Sequence, residues 1–117
     1  MGKVTLYMSP SGRTPVADYI ANLNAESRAK VARALDLLEQ YGPALGPPHV
    51  KPLKGTGGLC ELRVPFGGQA YRLFFFPDGG EVIVTHAFTK KSEKTPKKEL
   101  QTAISRMKEY QERRLRK

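Results

Sequence analysis

Three charged residues on two predicted strands are the part of the sequence best suited to chemistry. Glu61 and Arg63 lie in the segment 59–64 (LCELRV), and Arg72 lies in the segment 70–76 (AYRLFFF). Side chains along a strand alternate between the two faces of a sheet, so we expect Arg72 to share a face with Glu61 and Arg63. Such a face would bind a phosphate. Cross-strand ion pairs on a solvated face use the same residues and remain the alternative.

More cations are expected around this face. Lys51 and Lys54 border it, and the segment 89–94 (TKKSEK) would close it, which gives a basic concave surface. The start of the last predicted helix is a second candidate for an anion site, with Thr95 as its N-cap and lysines around it: Lys94, Lys97 and Lys98. Lysines there oppose the helix macrodipole, whereas backbone N–H groups of a first turn hold anions well. Lysines that extend into water are the alternative.

The net charge of +9 is concentrated at one end of the chain. Residues 90–117 contain eleven lysines and arginines against four glutamates, which leaves +7 for this segment and only +2 for the first 89 residues. A concentrated basic surface attracts polyanions, so nucleic acid, an anionic membrane or an acidic protein are candidate partners. A solvated, solubilising tail would have the same composition.

The composition indicates one soluble domain over residues 1–117. A chain of 117 residues can bury one hydrophobic core, and 39% hydrophobic with 26% charged residues is ordinary for a globular protein. Cys60 is the only cysteine, which excludes an intramolecular disulfide and favours the cytoplasm. The apolar run 73–76 is too short for a membrane span, and the first ten residues do not resemble a signal peptide.

The hydrophobic pattern predicts an α+β domain. Residues 4–8 form a strand, Pro15 begins a first helix after Thr14, and residues 25–41 form a second helix. Four strands are predicted next, at 49–53, 59–64, 70–76 and 81–88, and Pro96 begins a C-terminal helix. Short connections favour a small twisted antiparallel sheet, with the helices on one face. The core face should carry Cys60, Leu62, Val64, Tyr71, Leu73 and Phe75.

The sequence resembles the RelE/ParE toxin superfamily, and in particular its phage-related HigB-like branch. The resemblance covers residues 3–110 and is carried by the pieces ELR, YRLFFF and HAFTKKSEKTP, in that order and spacing. It implies a RelE-like fold with two N-terminal helices and one C-terminal helix. It also implies the toxin of a type II toxin–antitoxin system, an endoribonuclease that cleaves mRNA on the ribosome and is neutralised by a helix-turn-helix antitoxin of the HigA kind.

The resemblance also assigns roles to individual residues. Arg63 and Arg72 would hold the scissile phosphate, and Lys90 or Lys91 would contact it or protonate the leaving group. Glu61 is the candidate general base with His86 as the second choice, although His86 is also interpreted as an edge histidine with satisfied hydrogen bonds. Phe88 could stack on a nucleobase, whereas core packing is preferred for Tyr71. No cofactor is implied, and two histidines and one cysteine give no zinc-like spacing.

Two departures from the RelE pattern accompany the resemblance. Glu61 stands where RelE has a second strand lysine, and the tyrosine near the start of its last helix is absent or replaced by lysine. Two other functions remain open on the same scaffold. One is a gyrase-inhibiting toxin of the ParE kind, although those relatives look depleted in the cations that this chain retains. The other is a non-enzymatic module that binds an acidic partner.

Overall fold

A computed structural model of the protein describes residues 3–91 and 93–116. Its elements follow the predicted order of one strand, two helices, four strands and a last helix. They are β1 (Lys3–Leu6), α1 (Pro15–Ala21), α2 (Ala25–Tyr41), a short 3-10 helix (Gly42–Leu45), β2 (Val50–Pro52), β3 (Cys60–Phe66), β4 (Gln69–Asp78), β5 (Glu81–Lys90) and α3 (Lys97–Leu115). The fold is therefore α+β, as the hydrophobic pattern predicts.

The five strands form one mixed sheet in the order β1-β5-β4-β3-β2. The run from β2 to β5 is an antiparallel meander, as expected from its short connections. β1, however, pairs with β5 in parallel, so the expectation of an entirely antiparallel sheet is wrong for this strand. The two strands can run parallel because α1, α2 and three strands separate them in sequence, and a tight turn does not constrain their direction.

Helices cover both faces of the sheet. α1 and α2 pack on the face formed by Leu62, Tyr71, Leu73 and Phe75, and α3 packs on the opposite face through Ala103 and Met107. The expectation that all helices lie on one face is therefore wrong. The physical reason is the uninterrupted apolar run of β4, because Phe74 and Phe76 need a cover on the side away from α1 and α2.

Two glycines make the turn that aligns β3 with β4. Gly67 and Gly68 adopt φ values of +60° and +80°, a combination that a two-residue hairpin turn requires and that side chains with a Cβ rarely adopt. The turn pairs Phe66 with Gln69. The same register places residues 63 and 72 directly opposite each other.

The helix starts differ in how they are capped. Asn24 caps α2, since its side chain accepts a hydrogen bond of 2.9 Å from the Ser27 amide. The predicted role of Thr95 as N-cap is wrong, because α3 begins one residue later than expected, with Pro96 at the cap position and no side-chain cap bond. Within residues 3–91 and 93–116, none of the helices combines the length and apolar composition that crossing a bilayer requires.

Candidate active site

Arg63 and Arg72 converge on Glu61 on the α3 face of the sheet. Arg63 on β3 pairs in register with Arg72 on β4, and Glu61 lies two residues before Arg63 on the same strand. Arg63 Nε donates to Glu61 Oε1 at 3.2 Å, and Arg72 Nε lies 3.5 Å from Glu61 Oε2. Two guanidinium groups against one carboxylate leave one net positive charge in this cluster.

Glu61 is deeply buried, which the expectation of a solvated face did not include. The residue is 1% exposed, while the Arg63 side chain retains 34% and the Arg72 side chain 14% of its possible exposure. A buried carboxylate is costly unless cations and hydrogen bonds compensate it, and the two arginines supply that compensation. Since both carboxylate oxygens face arginines inside the protein, Glu61 is poorly placed to reach a substrate hydroxyl.

Arg72 lies further inside the protein than expected. Burial lowers the pKa of its guanidinium from the ordinary value, Glu61 opposes that effect, and Arg63 adds to the lowering. Arginine nevertheless keeps its charge in proteins. Arg72 Nη1 also donates to the Tyr71 carbonyl at 3.3 Å. Arg72 is thus partly buried, with its side chain 14% exposed, and belongs to neither hydrophobic cluster of the core.

An open depression of about 440 Å³ lies beside Arg72, and Lys90 and Lys91 also line it. Lys90 lies in β5 opposite Ala70, because β5 extends two residues past the predicted end at Phe88. Lys91 follows the strand and is exposed. The lining residues are Gly68, Gln69, Ala70, Arg72, Lys90, Lys91 and Glu93. The structure thus brings Arg72, Lys90 and Lys91 together around one depression.

Both ring nitrogens of His86 form hydrogen bonds with side chains of α3. Its Nε2 lies 2.6 Å from Glu99 Oε1, and its Nδ1 lies 3.1 Å from Arg106 Nη1. Arginine can only donate, so Nδ1 accepts and Nε2 carries the proton of the neutral ring. Burial lowers the pKa of His86, the hydrogen bond to Glu99 raises it, and the charge of Arg106 lowers it further. Both ring nitrogens are engaged, which favours the interpretation of a histidine with satisfied hydrogen bonds, although β5 lies between β1 and β4 rather than at an edge of the sheet.

The two aromatic candidates are both packed inside the protein. Tyr71 lies in the core, where its hydroxyl is 2.7 Å from Ser27 Oγ, as the preference for core packing predicts. Phe88 is 7% exposed and packs edge-on against Phe74, with ring centroids 5.4 Å apart, and stacks on His86. Its ring has no free face for a nucleobase, so the RNA-stacking role expected for Phe88 is not retained. α3 packs on this face of the sheet, a position that the sequence analysis did not predict.

The remaining predicted contact residues are spread around the site. Lys51 is exposed and pairs in register with Glu61 from the edge strand β2, and Lys54 is exposed in the turn that follows. Lys98 lines a separate depression of about 400 Å³ on α3 together with Gln101, Thr102, Ser105 and Arg106. Lys94 and Lys97 are exposed and Thr95 is partly exposed. The lining or supporting residues that the sequence analysis did not single out are Gly68, Gln69, Ala70, Glu99 and Arg106.

The described part of the chain contains no group of three or more His, Cys, Asp or Glu side chains that could hold a metal ion. The candidate site consists of the arginine pair and the cations of the neighbouring depression. Their arrangement favours an anionic ligand with separated negative oxygens, since planar guanidinium groups and lysines recognise phosphate through charge-assisted hydrogen bonds.

Comparison with known proteins places the chain in a family. The family model described as "Phage derived protein Gp49-like (DUF891)" matches residues 18–108, which include every residue of the candidate site. Two similar proteins are each named "Probable endoribonuclease HigB1", from Mycobacterium tuberculosis strains CDC 1551 / Oshkosh and ATCC 25618 / H37Rv. Each is 36% identical over 59 residues, which are 50% of this chain and 46% of the relative.

The chain thus spans about half the length of the curated relatives it matches. These findings confirm the resemblance to the phage-related HigB-like branch of the RelE/ParE superfamily. Because the family model covers most of the sequence, the chain belongs to the Gp49-like family of phage-derived proteins.

Proposed function

We propose that this protein is the toxin of a type II toxin–antitoxin system and an endoribonuclease that cleaves mRNA on the ribosome. One observation carries the proposal: Arg72, which shares the carboxylate of Glu61 with Arg63, lines the same depression as Lys90 and Lys91. The name of the HigB1 relatives supports the same chemistry, as does the family match. Such a cluster of cations suits a phosphodiester as substrate.

The reaction uses the RNA's own 2′-hydroxyl and no metal. The 2′-hydroxyl gives up its proton to solvent water and its oxygen attacks the adjacent phosphorus, while the bond from phosphorus to the 5′-oxygen breaks and that oxygen takes up a proton. The products are a 2′,3′-cyclic phosphate and a 5′-hydroxyl. Negative charge develops on the phosphate oxygens along this path. Cations fixed in advance around that position lower the barrier, and such electrostatic stabilisation is commonly the largest catalytic contribution.

The cations divide the work between them. Arg63 and Arg72 hold the scissile phosphate, because their Nε atoms are turned to Glu61 and their terminal amino nitrogens lie further from the carboxylate. Lys90 and Lys91 contact the phosphate or protonate the departing 5′-oxygen. Glu61 and His86 are not assigned as general bases, since the first is buried between arginines and the second is occupied by Glu99 and Arg106.

The remaining parts of the proposal come from the family resemblance. A type II toxin requires a protein antitoxin, and we assign this chain a helix-turn-helix partner of the HigA kind. Its action on translating ribosomes would take place in the cytoplasm. Lys51, Lys54, Lys94, Lys97 and Lys98 are exposed and would contribute non-specific attraction to RNA, which depends on their charge rather than on a fixed geometry.

Induced expression in a bacterial host tests the proposed function. The wild-type protein should arrest growth, and mapped mRNA ends should show new cuts inside translated regions. Lys91→Ala should relieve the arrest, whereas Lys108→Ala, which removes an exposed lysine of α3, should not. If growth arrests while mRNA stays intact and gyrase–DNA cleavage complexes accumulate, the ribonuclease proposal is rejected and the protein is a ParE-like toxin. Partner binding without toxicity would indicate a binding module.

A further inference from the structure

The carboxylate between the two arginines is the feature from which a more specific role can be inferred. Glu61 is the only charged residue among the buried residues of the described chain, and its two oxygens are divided between two cations. Arg63 and Arg72 face each other across β3 and β4, where like charges repel. Without an anion between them, the two guanidinium groups would move apart toward water.

We propose that Glu61 is a positioning residue, which holds Arg63 and Arg72 at a fixed separation for one phosphate, rather than a proton acceptor. This inference rests on the proposed function for the identity of the phosphate, which is that of an RNA backbone. Glu61 contacts Nε of each arginine, and Arg72 Nη1 donates to the Tyr71 carbonyl, so Arg72 Nη2 and the two outer nitrogens of Arg63 remain the guanidinium atoms for an incoming anion. A general base needs access to the substrate, and a residue that is 1% exposed lacks it.

The two halves of this arrangement differ in strength. Arg63 makes a hydrogen bond to Glu61 Oε1, whereas Glu61 Oε2 and Arg72 Nε, 3.5 Å apart, are buried without a hydrogen-bond partner in the described part of the chain. Charge alone therefore holds Arg72 to Glu61. Arg72 adjoins the depression with Lys90 and Lys91, so the guanidinium without a hydrogen bond to Glu61 is the one closest to the proposed substrate space, and its Nη1 is held by the Tyr71 carbonyl.

Glu61→Gln separates the two roles. The amide oxygen of glutamine can still accept from Arg63, but its NH₂ group would face Arg72 and repel it, so Arg72 should lose its position more completely than Arg63. The substitution also raises the net charge by one, which by itself strengthens the attraction of RNA. If Glu61 positions the arginines, Glu61→Gln should therefore weaken RNA binding, although the added positive charge alone would strengthen it.

The test uses the full chain and a single-stranded 2′-O-methyl oligoribonucleotide, which cannot be cleaved by 2′-hydroxyl attack. Glu61→Gln should weaken binding by about tenfold, as expected for loss of a charge-assisted contact. Glu93→Gln removes one negative charge from the rim of the same depression and should tighten binding. In ¹⁵N-resolved NMR spectra, the Nε–H signal of Arg72 should move toward that of a solvated arginine, and that of Arg63 should move less.

Binding by Glu61→Gln that equals or exceeds wild-type binding, with unchanged Nε–H signals, would overturn the positioning role. If Glu61→Gln does not fold, Glu61→Asp and the wild-type spectrum decide, because slowly exchanging Nε–H signals from both arginines support the inference and solvent-exchanged signals contradict it. Cleavage of unmodified mRNA is measured separately. If the protein does not cleave mRNA, the proposed ribonuclease activity is wrong. The binding and NMR results would still decide whether Glu61 positions the two arginines.

Discussion

Arg63 and Arg72 occupy directly opposite positions on β3 and β4, and their Nε atoms lie 3.2 Å and 3.5 Å from the two oxygens of Glu61. Two like charges in register destabilise a sheet unless an anion separates them. The chain places that anion inside the protein, where charges are expensive to bury. An arrangement with such a cost is typical of functional sites, where local rules of stability are relaxed.

Removal of Arg63 should abolish most of the activity and also lower the stability of the fold, because the buried Glu61 loses the cation to which it is hydrogen-bonded. The Arg63 side chain is 34% exposed, so Arg63→Ala leaves no cavity in the core. Loss of one cation that stabilises the developing phosphate charge should lower the cleavage rate by about 10²- to 10³-fold. The measurement is single-turnover cleavage of mRNA on programmed ribosomes. Arg33→Ala, which removes an exposed arginine of α2, is the matched control and should cleave like the wild type.

Removal of Arg72 should destabilise the protein. Arg72→Ala leaves the buried Glu61 with one cation, and an uncompensated buried charge costs about 3 kcal/mol of the free energy of unfolding. Arg72→Lys keeps the charge and should lose less stability. Urea unfolding of both variants measures the difference. Equal free energies of unfolding for wild type and Arg72→Ala would show that Glu61 does not depend on Arg72.

Stability should fall on mild acidification because of His86. Burial holds the pKa of His86 below its ordinary value of 6.5, so the unfolded chain takes up the proton at a higher pH than the folded chain does. The free energy of unfolding is then highest above pH ~6.5 and declines as the pH falls from there toward the folded pKa.

The contacts of His86 explain why stability should fall as the pH is lowered. A protonated ring could no longer accept from Arg106, although Glu99 would still pair with it. Urea unfolding between about pH 5 and 8, where histidine titrates, should show a shallower pH slope for His86→Gln than for the wild type. Identical slopes for wild type and His86→Gln would contradict the lowered pKa.

Lys90 should contribute to RNA binding through its charge. It lines the depression beside Arg72, so Lys90→Ala should reduce the slope of log affinity against log salt concentration by about one phosphate contact for single-stranded RNA. Titrations of an oligoribonucleotide at several salt concentrations measure that slope. Lys30→Ala, on the exposed side of α2, should leave it unchanged. A wild-type slope in Lys90→Ala would place the RNA elsewhere.

The sequence predicts the order of the elements and the shared face of the charged residues because both follow from local periodicity. Alternation along β3 and β4 was enough to place Glu61, Arg63 and Arg72 together. The pairing of β1 with β5 depends on contacts between residues far apart in sequence, which a local pattern does not contain. The run Phe74–Phe76 did carry a usable signal, since three consecutive buried aromatics require cover on both faces.

Placing α3 correctly changes the interpretation of the site. Once α3 covers the second face, Phe88 and His86 belong to its packing surface, and Glu99 and Arg106 become the partners of His86. The spacing of the apolar residues in α3 predicted an amphipathic helix, but it did not indicate on which face of the sheet the helix would pack. Glu61 is buried on this same face of the sheet, which the strand pattern alone did not indicate, so its role could not be inferred from that pattern.

The chemical identity of the RNA ends is the sharpest test of metal-free cleavage by the 2′-hydroxyl. Purified protein is incubated with ribosomes programmed with mRNA, and the fragment ends are identified by mass spectrometry. We expect a 2′,3′-cyclic phosphate and a 5′-hydroxyl at each cut, and loss of cleavage when the scissile nucleotide carries a 2′-O-methyl group. Intact mRNA, or cleavage that persists at the 2′-O-methyl nucleotide, would contradict the proposed reaction.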